Sequence, residues 1–137
     1  MPYTGKTLFV ISCSLLFVST VILLPLNGSA RGASVTSRLL EGENNCVAIV
    51  LNIDSPPPAS LIVHLFLPGS VRLTGSAPDP SKINKKNNSV KWLFKKVGAG
   101  QQLISVCLTQ PVNLDQLTAR VRYHDPRKGM IEIEAAR

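Results

Sequence analysis

The run SVKWLFKK, residues 89–96, decides the fold. It sets Trp92 and Phe94 among Lys91, Lys95 and Lys96. Two readings compete. Aromatic rings exposed beside positive charge make a stacking platform for single-stranded nucleic acid. Rings separated from the charges by a period of two make a β-strand with one buried and one wet face. Here Val90, Trp92 and Phe94 fall on one side, and Lys91 and Lys95 fall on the other with Leu93, before Lys96 closes the run. The spacing favours the strand. Trp92 and Phe94 are core candidates, and no nucleic-acid partner is expected.

The same alternation governs LTARVRYH, residues 117–124. Leu117, Ala119, Val121 and Tyr123 point one way, and Thr118, Arg120, Arg122 and His124 point the other, giving a half-buried strand with a basic outer face. Val121 and Tyr123 join the predicted core. Further apolar, β-branched runs lie at 35–40, 46–54, 61–67, 70–75, 101–110 and 130–135. Between them stand Pro, Gly, Asn and Asp. Pro56, Pro57 and Pro58 cannot donate to a ladder and belong outside the sheets. The polar stretch SAPDPSKINKKNNS, residues 76–89, reads as one long exposed loop. This rhythm predicts an all-β sandwich or barrel with no internal repeat and no linker.

The chain begins MPYTGKTLFVISCSLLFVSTVILLPLNGSA. A basic start, an apolar run over 8–26 and the small residues Gly28, Ser29 and Ala30 are the three parts of a secretory signal peptide. Residues 1–30 are therefore expected to be cleaved after Ala30, leaving 31–137 as a single β-sandwich domain. The alternative is an uncleaved membrane anchor, because the apolar run approaches the roughly 20 residues that span a bilayer. Membrane contact would then run only through residues 8–26. The expected location is periplasmic or secreted, or else inner-membrane anchored with the domain outside the cytoplasm.

The whole chain of 137 residues has a formal charge of +7. Losing Lys6 with the leader leaves 14 basic residues against 8 acidic ones, a net +6. Such a surface favours anionic polysaccharide, lipid headgroups or nucleic acid, and the exported compartment argues against the last. Lys82, Lys85 and Lys86 in the loop, with Lys91 and Lys95 on the strand, form a candidate anionic-ligand face. The alternative is an ordinary solvated face.

Cys46 and Cys107 remain after the leader, and an exported protein can join them. The more apolar sets Val47, Ile49, Leu51 and Ile53, and Ile104, Val106 and Leu108, are expected to face the core, so both cysteines point outward. In an immunoglobulin-like sandwich the second and fifth strands are antiparallel neighbours. If the short run at 70–75 is an extra strand beside the third, the run at 101–110 takes that fifth place. A cross-strand disulfide on an outer face follows. The usual tryptophan shortly after the first cysteine is absent, and Trp92 lies nearer the second.

Several chemistries lack their residues. There is no G-x-S-x-G elbow, H-E-x-x-H, C-x-x-C or Gly-rich phosphate loop. No cofactor or metal is expected, since neither His64 nor His124 stands at a zinc-type spacing from a cysteine. Glu132 and Glu134 share a strand face and read as partners for nearby arginines. Asn87-Asn88-Ser89 matches a glycosylation sequon, which counts only in a eukaryotic secretory pathway.

The order SLIVHLFLPGSVRLTGSAPDP then NSVKWLFKKVGAGQQLISVCL resembles the conserved repeat domain of bacterial envelope and cell-surface proteins. The matching positions are Leu67, Pro68, Gly69 and Val71, then Val90 and Trp92, then Gly100 and Leu103, and the resemblance covers roughly Cys46 to Val121. It implies an immunoglobulin-like β-sandwich of seven to eight strands with a structural or adhesive role and no catalytic residues. Ser70 between the turn glycine and Val71 departs from the pattern, as does the single copy. The expected function is that of an exported non-enzymatic protein acting by binding or assembly in the bacterial envelope, with a protein partner. The alternative is a basic module for anionic glycan or lipid.

Overall fold

The computed structural model describes residues 32–137. The expected leader, residues 1–30, and the expected cleavage site after Ala30 lie outside them. Nine strands follow in order: β1 (Val35–Glu41), β2 (Cys46–Ile53), β3 (Leu61–Phe66), β4 (Leu73–Ala77), β5 (Lys82–Asn84), β6 (Ser89–Phe94), β7 (Gly100–Leu108), β8 (Thr118–Asp125) and β9 (Gly129–Glu134). A short 3-10 turn at Leu114–Gln116 precedes β8. Among the described residues no helix is long and apolar enough to cross a membrane.

The strands form two antiparallel sheets, ordered β1-β2-β7-β4 and β5-β6-β3-β8-β9. This is the spatial plan of an immunoglobulin-like sandwich carrying extra strands on one sheet. The alternation seen in the sequence sets the layers. Val63, Leu65, Val90, Trp92, Ala119 and Val121 of one sheet meet Leu39, Ile49, Leu51, Ile104 and Val106 of the other, all buried. Each fully buried Leu, Ile or Val contributes about 1.5–3 kcal/mol, so this shared layer is the main source of stability. Tyr123 is buried as well, and Phe94 packs at the core's margin.

Three features differ from the sequence expectation. First, Lys82–Asn84 is not loop but the edge strand β5, paired with β6. Its three residues are too few to show a period. The hairpin is made by side chains: Asn84 Oδ1 accepts from the Lys86 N–H at 3.0 Å, and Asn88 takes a left-handed φ of 49°. Second, the fourth strand starts at Leu73 and pairs with β7, not with the third strand. The Pro68–Val71 turn swings the chain across to the other sheet, where the Arg72 N–H donates to Thr109 Oγ1 at 3.1 Å. Third, the strands number nine rather than seven to eight, because β5 adds an edge strand beside the expected β6.

The two seams of the sandwich differ. On the β1/β9 side the C-terminal tail ties both sheets together. Ala136 bridges to Arg38, Leu39 donates to Ala136 O at 2.7 Å, and Ala135 donates to Ala119 O at 2.8 Å. On the β4/β5 side the link is the Trp92 indole. Its Nε1–H reaches Ser76 Oγ at 3.2 Å and Pro78 O at 3.0 Å.

Candidate functional site

The outward residues of the five-stranded sheet fall into register. Lys82 of β5 lies opposite Lys91 of β6, Lys91 opposite His64 of β3, and His64 opposite Arg120 of β8. Strands are spaced by about 4.8 Å, so this transverse row spans roughly 14 Å. Arg122, one outward position along β8, adds a fourth cation. Two depressions open along the row, one of about 250 Å³ over Phe66, Arg120 and Arg122 and one of about 150 Å³ over Lys82 and Asn84. They share His64 and Lys91 and so form one shallow groove.

Glu132 is the one carboxylate lining the groove. It takes Arg122 at 2.8 Å and Arg120 at 3.9 Å. The Arg122 hydrogen bond, against some burial and helped by the charges of Arg122 and Arg120, holds its carboxyl below the usual range. Glu134 turns instead to Arg137, at 3.4 Å. Four cations thus face one carboxylate. Like charges directly opposite on a sheet are destabilising, and Lys82–Lys91 is such a pair.

His64 sits at the centre. Burial, then Lys91, Arg120 and Arg122, push its pKa below 6.5, with Glu132 opposing. It is neutral at pH 7 and offers one donor and one acceptor. Its ring centre lies 4.2 Å from that of Phe66, and Arg120 stands over Phe66 at 5.5 Å. The groove floor is therefore aromatic while its walls are cationic.

The sequence-predicted lysines divide. Lys82 and Lys91 belong to the groove. Lys85 and Lys86 lie in the β5–β6 turn, and Lys85 lines a different cavity, at the open seam. Lys95 lies beyond the end of β6. The residues missed are His64, Arg120 and Arg122. Alternation showed that both arginines point outward, but only the placing of β3 between β6 and β8 brings them beside the lysines. On the other sheet Cys46 and Cys107 are opposite each other in β2 and β7 and are joined by a disulfide. His124 and Asp125 point to opposite faces, one exposed and one buried, so they make no dyad. Among the described residues no three His, Cys, Asp or Glu side chains cluster as metal ligands.

No known protein family, curated protein or solved structure matches the chain.

Proposed function

We propose that this is an exported, non-catalytic binding module of the bacterial envelope, and that its groove takes an anionic polysaccharide. One observation carries the reading. Lys82, Lys91 and Arg120, with Arg122 beside them, hold a positive row across four strands around a histidine of lowered pKa, and Glu132 offsets only its arginine end. A sheet that places like charges side by side loses stability, and Lys82 and Lys91 stand opposite each other with no ion pair among the described residues; a local rule broken in this way marks a functional surface. A linear polyanion supplies the missing charge along the row.

The Phe66 ring offers an apolar floor to the C–H face of a sugar, and His64 can exchange hydrogen bonds with its hydroxyls. The groove suits binding better than catalysis: Glu132, kept ionised by Arg122, is a poor general acid at neutral pH. The disulfide belongs to an oxidising compartment outside the cytoplasm. Periplasm or secretion fits it, and the leader-like first 30 residues and the resemblance to envelope repeat domains support the same location.

Nuclear magnetic resonance mapping tests the assignment. A uronic-acid oligosaccharide should shift the amides of β3, β6 and β8 around His64, Lys91 and Arg120, while neutral dextran should not. Shifts confined to the opposite sheet, or equal shifts with dextran, would remove this reading. Shifts given only by vesicles of anionic lipid would replace the glycan with a membrane surface.

A further inference from the structure

The two seams of the sandwich are not equivalent, and the open one has its own chemistry. Where β4 and β5 end their sheets, a cavity of about 390 Å³ lies between the layers. It is larger than either depression of the basic groove. Leu67, Leu73, Ile83 and Val90 line it. Ile83 is the telling residue. Its strand neighbours Lys82 and Asn84 occupy the outer face, so alternation turns Ile83 toward the sandwich interior. Yet it is 53% exposed, because no strand of the other sheet covers it. A β-branched apolar side chain thus stands at the mouth of an apolar cavity.

The rim is basic. Arg72 and Lys85 are the charged residues of the lining. No ion pair between described residues involves either of them. Arg72 is held in place through Nη1, which donates to Val71 O at 3.1 Å and Gly69 O at 3.3 Å. That leaves Nη2 to meet a ligand. The wall between is fixed by Asn88, whose side-chain N–H groups donate to Val71 O at 2.9 Å and Gly69 O at 3.0 Å. An apolar slot with a cationic rim and a pinned wall is complementary to one kind of molecule.

We propose that the open seam binds a single-chain amphiphile, its hydrocarbon tail lying against Ile83, Leu73, Leu67 and Val90 and its anionic head group on Arg72 and Lys85. Pockets of this size fall at the lower end of the range for small-molecule sites, about 300–1,000 Å³, which fits one chain and not a two-chain lipid. The head can be a carboxylate or a phosphate monoester, since both match a guanidinium and an ammonium. This site shares Asn84 and Ser89 with the rim of the polysaccharide groove, but its apolar lining and its cations Arg72 and Lys85 are not part of that groove, and the proposal stands without it.

The test is a displacement titration on the protein as isolated, with a fluorescent fatty acid as reporter. Decanoate, decyl phosphate, decanol and decyltrimethylammonium are compared below their micelle concentrations, with acetate and inorganic phosphate as heads without tails. At least one anionic amphiphile should displace the reporter, tenfold or more better than the cationic one, and neither bare head should compete. Which anion binds better separates a fatty-acid from a phosphate source. Ile83→Asp and the milder Ile83→Ser should weaken binding at least tenfold while the circular dichroism stays native. Arg72→Gln and Lys85→Gln should weaken the anions and leave decanol unchanged. Lys91→Glu should leave amphiphile binding intact, which separates this site from the groove. No displacement by either anion, or displacement indifferent to Ile83→Asp and Ile83→Ser, would overturn the proposal. So would self-association in the absence of amphiphile that Ile83→Asp abolishes, because the occupant would then be a second copy of the chain.

Discussion

Replacing Cys46 and Cys107 by alanine removes a link whose effect can be worked from its position. The two residues are 61 apart in sequence, and the chain-entropy relation gives about 14 cal/mol/K for closing such a loop, or about 4 kcal/mol at 25 °C. The folded state loses little directly. Both side chains point away from the shared core, and β2 and β7 remain paired along their whole length through the backbone. The loss therefore arises mainly in the unfolded state, which gains freedom. Measured effects usually fall short of the relation, so we expect a loss of about 2–4 kcal/mol. That is a large share of the roughly 5–15 kcal/mol typical of a domain.

The assay is equilibrium urea unfolding of the native and Cys46→Ala/Cys107→Ala proteins. It is followed by the fluorescence of Trp92, the chain's single tryptophan, which is 1% exposed when folded. The urea dependence should steepen in the variant, because an unlinked chain exposes more surface on unfolding. A loss below about 1 kcal/mol, or a full loss with no steepening, would refute the argument that the bond acts by constraining the unfolded chain.

Trp92→Phe keeps an aromatic ring in the core but loses the indole donor, while Pro78 O keeps the Ser76 hydroxyl, so the lost ring volume and hydrogen bond should cost about 1–3 kcal/mol by chemical denaturation. Ser37 has a buried hydroxyl with no protein partner, so Ser37→Ala should leave stability unchanged or raise it by up to about 1 kcal/mol in the same assay. The depressed pKa of His64 means that the unfolded chain binds the extra proton first as the pH falls. Stability should be fully present above about 6.5 and decline from there toward the lower folded value, and His64→Gln should flatten that part of the urea-midpoint profile. A bound anion favours the imidazolium, so polysaccharide binding should be accompanied by proton uptake as the pH is lowered below 6.5, visible as a buffer-dependent heat in calorimetry.

The fold was legible where the period of two ran long enough. SVKWLFKK and LTARVRYH show their faces plainly, and the cysteine placement pointed to the β2–β7 pairing. β5 was not legible, since three residues cannot show a period and its hairpin depends on the Asn84 side chain acting on the backbone and on a left-handed Asn88. The crossing of β4 to the opposite sheet was hidden for a related reason: a turn of Pro68–Val71 does not say in which sheet the next strand lands. The same non-locality governs the site. Lys82, Lys91 and the outward arginines could all be picked out from the sequence, but their neighbourhood is made by strand order. His64 reads as one histidine in an apolar run until Lys91 and Arg120 are placed on either side of it.

The most direct measurement is the salt dependence of binding between the protein and a uronic-acid oligosaccharide, for the native chain and for a Lys91→Glu/Arg120→Glu variant. Both substituted side chains point to solvent, so folding should survive and the groove alone should change. The account predicts that native affinity falls steeply as ionic strength rises through the range where the screening length shrinks below about 10 Å, and that the variant binds at least tenfold more weakly with little salt dependence. Equal affinity of the two proteins at low salt would contradict it, because the positive row across the five-stranded sheet would then not be the surface that holds the ligand.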